Sequence, residues 1–245
     1  MIPQTWFTVV EIEVNSHCNR KCCYCPNSSI TNPSVPRYMS DQVFRKIIGE
    51  LKRIGFSGRL SYHFYNEPLL RSDLENLVRY VSEKLPNAYQ LLFTNGDFLS
   101  DSRYLQLKKA GISHFFVTRH DFQNIKERKD QIVVTPKDLI LTNRGGNLYK
   151  LKEPLKYPCY APSEILIITV TGDVLFCFED ARRTNVMGNI VQKPLKDIWF
   201  SSEFNRLRKV LNKGDRLNSL SICKNCNNLD YINSGNSWYP KIDIN

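Results

Sequence analysis

The sequence predicts an α/β protein: parallel β/α units over residues 1–150, then a smaller β-containing unit over residues 151–245. Three observations carry that expectation. In the first part, short apolar runs of strand length alternate with amphipathic runs of helix length, the pattern of a parallel sheet covered by helices. Past a Gly/Asn/Lys-rich stretch near residue 150 the alternation stops and a hairpin pattern replaces it. The eight cysteines fall into two groups of four, one on each side of that stretch.

The elements follow in order. "VVEIEV" (9–14) reads as a strand. Residues 41–55 read as a helix, with Val43, Phe44, Ile47, Ile48, Leu51 and Ile54 on one side. "RLSYHFY" (59–65) is a strand, and residues 73–85 form a helix burying Leu74, Leu77, Val78 and Val81. "YQLLFTN" (89–95) is a strand closed by Gly96; residues 100–111 form a helix with a glycine stop. "SHFFVT" (113–118) and "KDLILTN" (137–143) are the next strands. In the second part, "EILIITVTGDVLFCFED" (164–180) gives two β-rich runs joined by Thr-Gly-Asp, and residues 193–211 form a helix with a proline near its start.

Composition sets outer bounds. Apolar residues make up 42% and charged residues 24% of 245, as in a folded soluble domain. No apolar run approaches the ~20 residues of a membrane helix, and the first residues lack the pattern of a signal peptide. The expectation is cytoplasmic residence without a membrane partner. In a reducing compartment eight cysteines point to metal or cluster ligation rather than disulfides. The net charge of +10 suits an acidic partner, but the basic residues are scattered and no nucleic-acid-binding motif is present, so nucleic acid is not expected.

The first cysteines are spaced Cys18-x3-Cys22-x2-Cys25, with Cys23 extra, directly after the first strand. Chemistry in parallel β/α barrels gathers on the loops after strands. Three thiolates are one short of a closed site and leave a coordination position open. With Tyr24 before the last cysteine, this loop resembles that of the radical S-adenosylmethionine (radical SAM) superfamily. "HFYNEPL" (63–69) and "FTNGDFL" (93–99) resemble the family's motifs after the second and third strands. The resemblance implies a truncated TIM-like parallel β/α barrel and a [4Fe–4S] cluster on Cys18, Cys22 and Cys25. The open iron would chelate S-adenosylmethionine (SAM), which one electron cleaves to methionine and a 5′-deoxyadenosyl radical. It also implies SAM contacts from Tyr24, Glu67, Thr94, Asn95, Thr118 and His120, with Glu67 facing the ammonium. Asn66 stands where the family has a glycine. Cys23 is an apolar filler or, in an epimerase, a hydrogen-atom donor.

Cys159, Cys177, Cys223 and Cys226 form a full set of four, which alone suits structural zinc or a cluster. Beside the first motif they resemble the twitch domain, a half-size SPASM relative, and imply an auxiliary [4Fe–4S] cluster, two clusters in all. "LTNRGG", "MGNI", "DIW" and "CKNCNN" extend the likeness to the family's aminocyclitol dehydrogenases of aminoglycoside antibiotic biosynthesis. These imply oxidation of a secondary alcohol of a 2-deoxy-scyllo-inosamine-like substrate to a ketone, with the auxiliary cluster taking the remaining electron. Arg144 is then expected at the reacting hydroxyl as stabiliser or proton relay, Glu179 at the substrate's amine or hydroxyls, and Tyr65 in the pocket, where His63 and Phe93 are further candidates. Flavodoxin or a ferredoxin-type protein is the expected reductant. The rival readings are a radical SAM epimerase, a peptide-modifying enzyme and a zinc-binding nucleic-acid module.

Overall fold

The structure, a computed structural model, describes residues 5–28, 30, 37–120, 125–139 and 141–235. Its backbone is one eight-stranded sheet in the order β5-β4-β3-β2-β1-β6-β7-β8. Strands β1 (Val9–Ile12), β2 (Arg59–Ser61), β3 (Tyr89–Thr94), β4 (His114–Thr118) and β5 (Gln131–Val134) run parallel. On the other side of β1, β6 (Ile165–Ile168) pairs in parallel, Val9 opposite Ile165 and Ile12 opposite Ile168. Antiparallel β7 (Asp173–Leu175) and β8 (Val186–Asn189) complete the sheet. The curved parallel part is the expected partial barrel. The sheet continues from β1 into β6 without a break, so both parts of the chain share one hydrogen-bonded ladder.

Strand alternation separates two cores. Val10, Ile12, Leu60, Leu92, Phe115 and Val117 face outward into the main core. They meet α1 (Asp41–Arg53), α2 (Leu74–Lys84) and α3 (Asp101–Ala110). Helix α1 buries Phe44, Ile47, Ile48 and Leu51, as its periodicity predicts, and Ser40 caps it by accepting from Val43 N at 3.3 Å. Helix α2 buries all four expected residues. Gly111, at φ +129°, ends α3; a Cβ there would lie 1.8 Å from Ser82 Oγ. Val9, Ile165, Ile167 and Leu175 face the other way and pack with Phe64 and Tyr231 in a smaller cluster.

Three elements differ from expectation. The fifth strand is Gln131–Val134, and the described residues of 137–143 are turns and irregular chain. Asp138 accepts from Thr135 N and Oγ1, both at 2.7 Å, which turns the chain away from the sheet. The strand expected over 59–65 ends at Ser61, because Asn66 Oδ1 takes the Phe64 N–H at 2.7 Å and bends the segment. Tyr65 therefore lies on a loop. The helix expected over 193–211 is two: α5 (Leu195–Trp199) and α6 (Ser202–Asn212), divided where Ser201 accepts from Phe204 N and starts a new helix. The Thr-Gly-Asp hairpin forms, with β6 and β7 antiparallel. Helices α4 (Ala161–Glu164) and α7 (Ser221–Asn225) are single turns.

Candidate active site

Loops at the carboxyl ends of β1–β4 and the segment around residues 142–144 enclose a cavity of about 310 Å³. Cys18, Cys22 and Cys25 open onto it; Cys23 is exposed and is not part of its wall. The thiol-bearing loop is tied down from two sides. Glu67 N donates to His17 O at 3.0 Å, and Asn15 Nδ2 donates to Glu67 O at 3.0 Å. From the β3 turn, Asp97 takes a two-pronged contact from Arg20 at 2.6 and 2.7 Å, and Asn95 Nδ2 donates to Asn19 Oδ1 at 2.8 Å. Burial pushes the Cys18 thiol up to about 11. It raises Cys25 too, while a backbone hydrogen bond from Asn27 and the charge of Arg144 pull that thiol back. Metal ligation at such thiols releases protons.

The expected SAM residues all line this cavity. Glu67 is buried; its carboxylate accepts from Thr94 Oγ1 at 2.8 Å, Leu69 N at 3.0 Å and Asn95 N at 2.7 Å. Burial raises its pKa to about 7 against those hydrogen bonds. Each carboxylate oxygen accepts more than one hydrogen bond, so Glu67 keeps capacity for an ammonium. Across the cavity, Tyr24 and His120 stack with centroids 6.0 Å apart, and the Tyr24 hydroxyl meets His120 Nδ1. Thr118 closes β4 beside them.

Arg144, Tyr65 and Glu179 come together behind the cysteine loop. Arg144 sits 5.9 Å over the Tyr65 ring, and its Nε is buried without a hydrogen-bond partner. Burial works against its charge, yet Tyr65, Glu179 and Cys25 together raise its pKa, so it stays a cation. Arg144 reaches the cavity from a turn rather than from the end of a strand. Arg144, Gly145 and Gly146 all have positive φ, at 52°, 59° and 85°. A Cβ on Gly146 would stand 2.6 Å from Asn225 Cβ, so these residues let the turn press against the second cysteine segment. Tyr65 O–H donates to Phe178 O at 3.0 Å; burial, then Glu179, hold its phenol well above the ordinary range. Glu179 is buried and accepts from Thr142 Oγ1 at 2.9 Å and Asn228 Nδ2 at 3.0 Å. It lines the neighbouring cysteine cavity, and Thr142 and Asn228 stand between it and the large one.

Sequence reasoning missed the far wall of the cavity. Glu11 and Arg59 point inward from β1 and β2, their side chains 3.3 Å apart, with Asp230 and Tyr231 nearby. His63, one of the weaker candidates, joins them; burial and then Arg59 lower its pKa to about 3, so it is neutral. The available signal was the alternation of polar with apolar residues, Glu11 and Glu13 in "VVEIEV" and Arg59, Ser61 and His63 in "RLSYHF". Asp230 and Tyr231 lie in a loop beyond the last cysteine, where no pattern marks them.

Cys159, Cys177, Cys223 and Cys226 line a second, smaller cavity, walled by Pro162, Leu211 and Ile222. All eight cysteines are free thiols. Three thiols facing an open cavity suit a cluster with one exchangeable iron, and four facing one small pocket suit a closed one.

The radical SAM superfamily profile matches residues 12–138, more than half the chain, and the profile of the SPASM iron–sulfur cluster-binding domain matches residues 159–227. The chain is a radical SAM enzyme. It is 39% identical, over 91% of its length and 94% of the relative's, to the S-adenosyl-L-methionine-dependent 2-deoxy-scyllo-inosamine dehydrogenase of Niallia circulans. Among solved structures it is similar to BtrN in complex with AdoMet and 2-DOIA, with a TM-score of 0.87 and 38% identity, covering 94% of this chain and 96% of that one. BtrN in an open conformation superposes less well, with a TM-score of 0.78 and 35% identity over 93% and 95%. This radical SAM enzyme therefore uses SAM and a [4Fe–4S] cluster.

Proposed function

We propose that the chain oxidises a secondary alcohol of a 2-deoxy-scyllo-inosamine-like aminocyclitol to the ketone, within aminoglycoside antibiotic biosynthesis. The observation that carries this reading is the placement of Arg144: its half-buried cation lines the cavity of the three-thiol loop while its own turn abuts the four-thiol segment. The 39% identity to the scyllo-inosamine dehydrogenase supports it. We assign one cluster to Cys18, Cys22 and Cys25 and a second to Cys159, Cys177, Cys223 and Cys226, and divide the chain near residue 150 into barrel and twitch units.

When bound, SAM and the two clusters supply one-electron cleavage, hydrogen-atom abstraction and a sink for the remaining electron. The protein's residues handle charge and position. Glu67 takes the SAM ammonium, with Thr94 and Asn95 fixing its carboxylate and Tyr24, Thr118 and His120 forming the opposite side of the SAM site. Arg144 steadies negative charge on the reacting oxygen and passes the hydroxyl proton to water; a guanidinium does not serve as the base itself. Tyr65, kept protonated, backs Arg144. Glu179, through Thr142 and Asn228, provides the negative charge toward which a substrate ammonium orients. Among the described residues no helix is long and apolar enough to cross a membrane; the proposed setting is the cytoplasm, with flavodoxin or a ferredoxin-type protein as reductant.

The test is anaerobic reconstitution with reductant, SAM and a panel of aminocyclitols. The expected products are 5′-deoxyadenosine and a ketone lighter than substrate by two hydrogens. An isomer of the substrate that carries one solvent deuterium, one mass unit heavier when the reaction is run in deuterated water, would replace this reading with epimerisation, which the exposure of Cys23 outside the cavity disfavours.

A further inference from the structure

Four buried arginines brace this fold, and three have an evident partner for their charge. Arg59 meets Glu11, and Arg71 meets Asp73. Arg208 lies 3.8 Å from the ring centroids of both Trp199 and Phe204, whose faces attract a cation. Arg216 is different. It is 2% exposed, and among the described residues it has neither an ion pair nor a ring partner. Its guanidinium donates only to neutral backbone carbonyls: Tyr157 O at 3.1 Å, Pro158 O at 3.4 Å, Cys226 O at 3.1 Å and Asn228 O at 2.9 Å. A buried charge without a counter-charge is costly, and carbonyl dipoles offset only part of the cost.

The missing counter-charge has a place in the fold. Arg216 lines the small cavity together with Cys159, Cys177, Cys223, Cys226 and Glu179, and the Glu179 carboxylate accepts from Thr142 Oγ1 and Asn228 Nδ2 rather than from Arg216. Among the described residues Arg216 therefore has the four thiol groups, and no paired carboxylate, as its neighbours in that cavity. Its four carbonyl partners flank Cys159 on one side and include or follow Cys226 on the other, so one planar group spans both thiol-bearing segments.

We propose that Arg216 is the built-in counter-ion of the four-thiolate centre, a positioning residue that braces its loops and makes it a readier electron acceptor. This rests on the proposed auxiliary [4Fe–4S] cluster. A four-thiolate cluster is anionic and gains one more negative charge on reduction. A fixed cation beside it in a low-dielectric pocket favours the more negative state, and so raises the reduction potential. The electron left on the substrate after hydrogen-atom removal and loss of the hydroxyl proton then has a favourable destination.

The test uses the full chain with Cys18, Cys22 and Cys25 all changed to Ala, so that only the second centre loads. Iron and sulfide are counted after anaerobic reconstitution, and the midpoint potential is read by EPR-monitored titration. With native Arg216, about four irons per chain are expected; none would refute the four-thiolate reading before any Arg216 variant is made, and this inference with it. Arg216→Gln should shift the reduction equilibrium toward the oxidised state roughly tenfold, which is about 59 mV for one electron. Arg216→Lys, which keeps the charge and loses the planar fork, should titrate near the native value. A Gln variant with full iron at native potential overturns the proposal. If the Gln variant does not load, the Lys variant decides: loading at near-native potential supports the counter-ion, and failure to load overturns it in favour of shape alone.

Discussion

Arg144 holds a left-handed backbone, at φ +52°, in a turn whose next two residues are glycines. Non-glycine residues rarely adopt that conformation, and where they do at a site the surrounding structure holds them there. Its guanidinium lies over Tyr65, and its Nε is buried without a hydrogen-bond partner. Arg144→Lys should cut ketone formation by about 10²-fold, the scale for losing one well-aimed charge-stabilising donor, while 5′-deoxyadenosine still forms; the ratio of the two products measures it, and full ketone yield from the Lys variant removes Arg144 from the chemistry. Glu67 yields a pH prediction. Burial holds its carboxyl near 7 in the free protein, so below 7 it is mostly neutral. A SAM ammonium favours the carboxylate, so binding releases a proton and affinity rises about tenfold per pH unit up to 7, then levels off. Equilibrium dialysis between pH 6 and 8 should show this slope, and Glu67→Gln should bind more weakly and without it. At this scale the three cavity-facing thiols and the Glu67, Thr94 and Asn95 shell were readable because each motif follows a strand whose apolar run is plain. Arg216 was not, since the carbonyls that define it come from residues brought together only by folding.

At the scale of elements, the turn from Thr142 to Asn147 carries as much weight as any strand. It was expected as the end of a strand, because "LILT" has strand composition; what prevails is polar bonding. Thr142 is held to Glu179, and Asn143 Nδ2 donates to Tyr149 O at 3.0 Å and Asn225 O at 2.6 Å. Gly146→Ala adds a Cβ at φ +85° within 2.6 Å of Asn225 Cβ. It should cost about 2 kcal/mol, seen as a lower urea midpoint of the metal-free chain, and should lower iron retention at the four-thiol centre more than at the three-thiol one. A variant with native midpoint and native iron would show that the turn tolerates a side chain there. Helices α1 and α2, by contrast, bury the residues their periodicity marks, because an amphipathic stripe decides its own orientation.

For the whole molecule, the excess of basic residues, +10 overall, bears on the reductant. Oppositely charged redox partners meet through long-range attraction that salt screens. Turnover driven by flavodoxin should fall several-fold between about 50 and 300 mM salt, whereas turnover driven by dithionite should change little; equal responses would argue against an electrostatic encounter. The pairing of β6 with β1 was the large-scale feature hidden from sequence. The two strands lie about 150 residues apart, and nothing local in "VVEI" or "ILII" names its neighbour.

That pairing sets a ruler inside the protein. Val9 to Ile12 lie rung for rung against Ile165 to Ile168, and the chain leaves this shared ladder on one side toward Cys18 and on the other, by way of β7, toward Cys177. Tunnelling rates decay exponentially with separation, so a hinge between the two thiol groups would make electron transfer erratic. Two strands laced together by backbone hydrogen bonds supply no such hinge: with the proposed clusters loaded, a substrate held at the three-thiol loop and an acceptor at the four-thiol segment would keep one span.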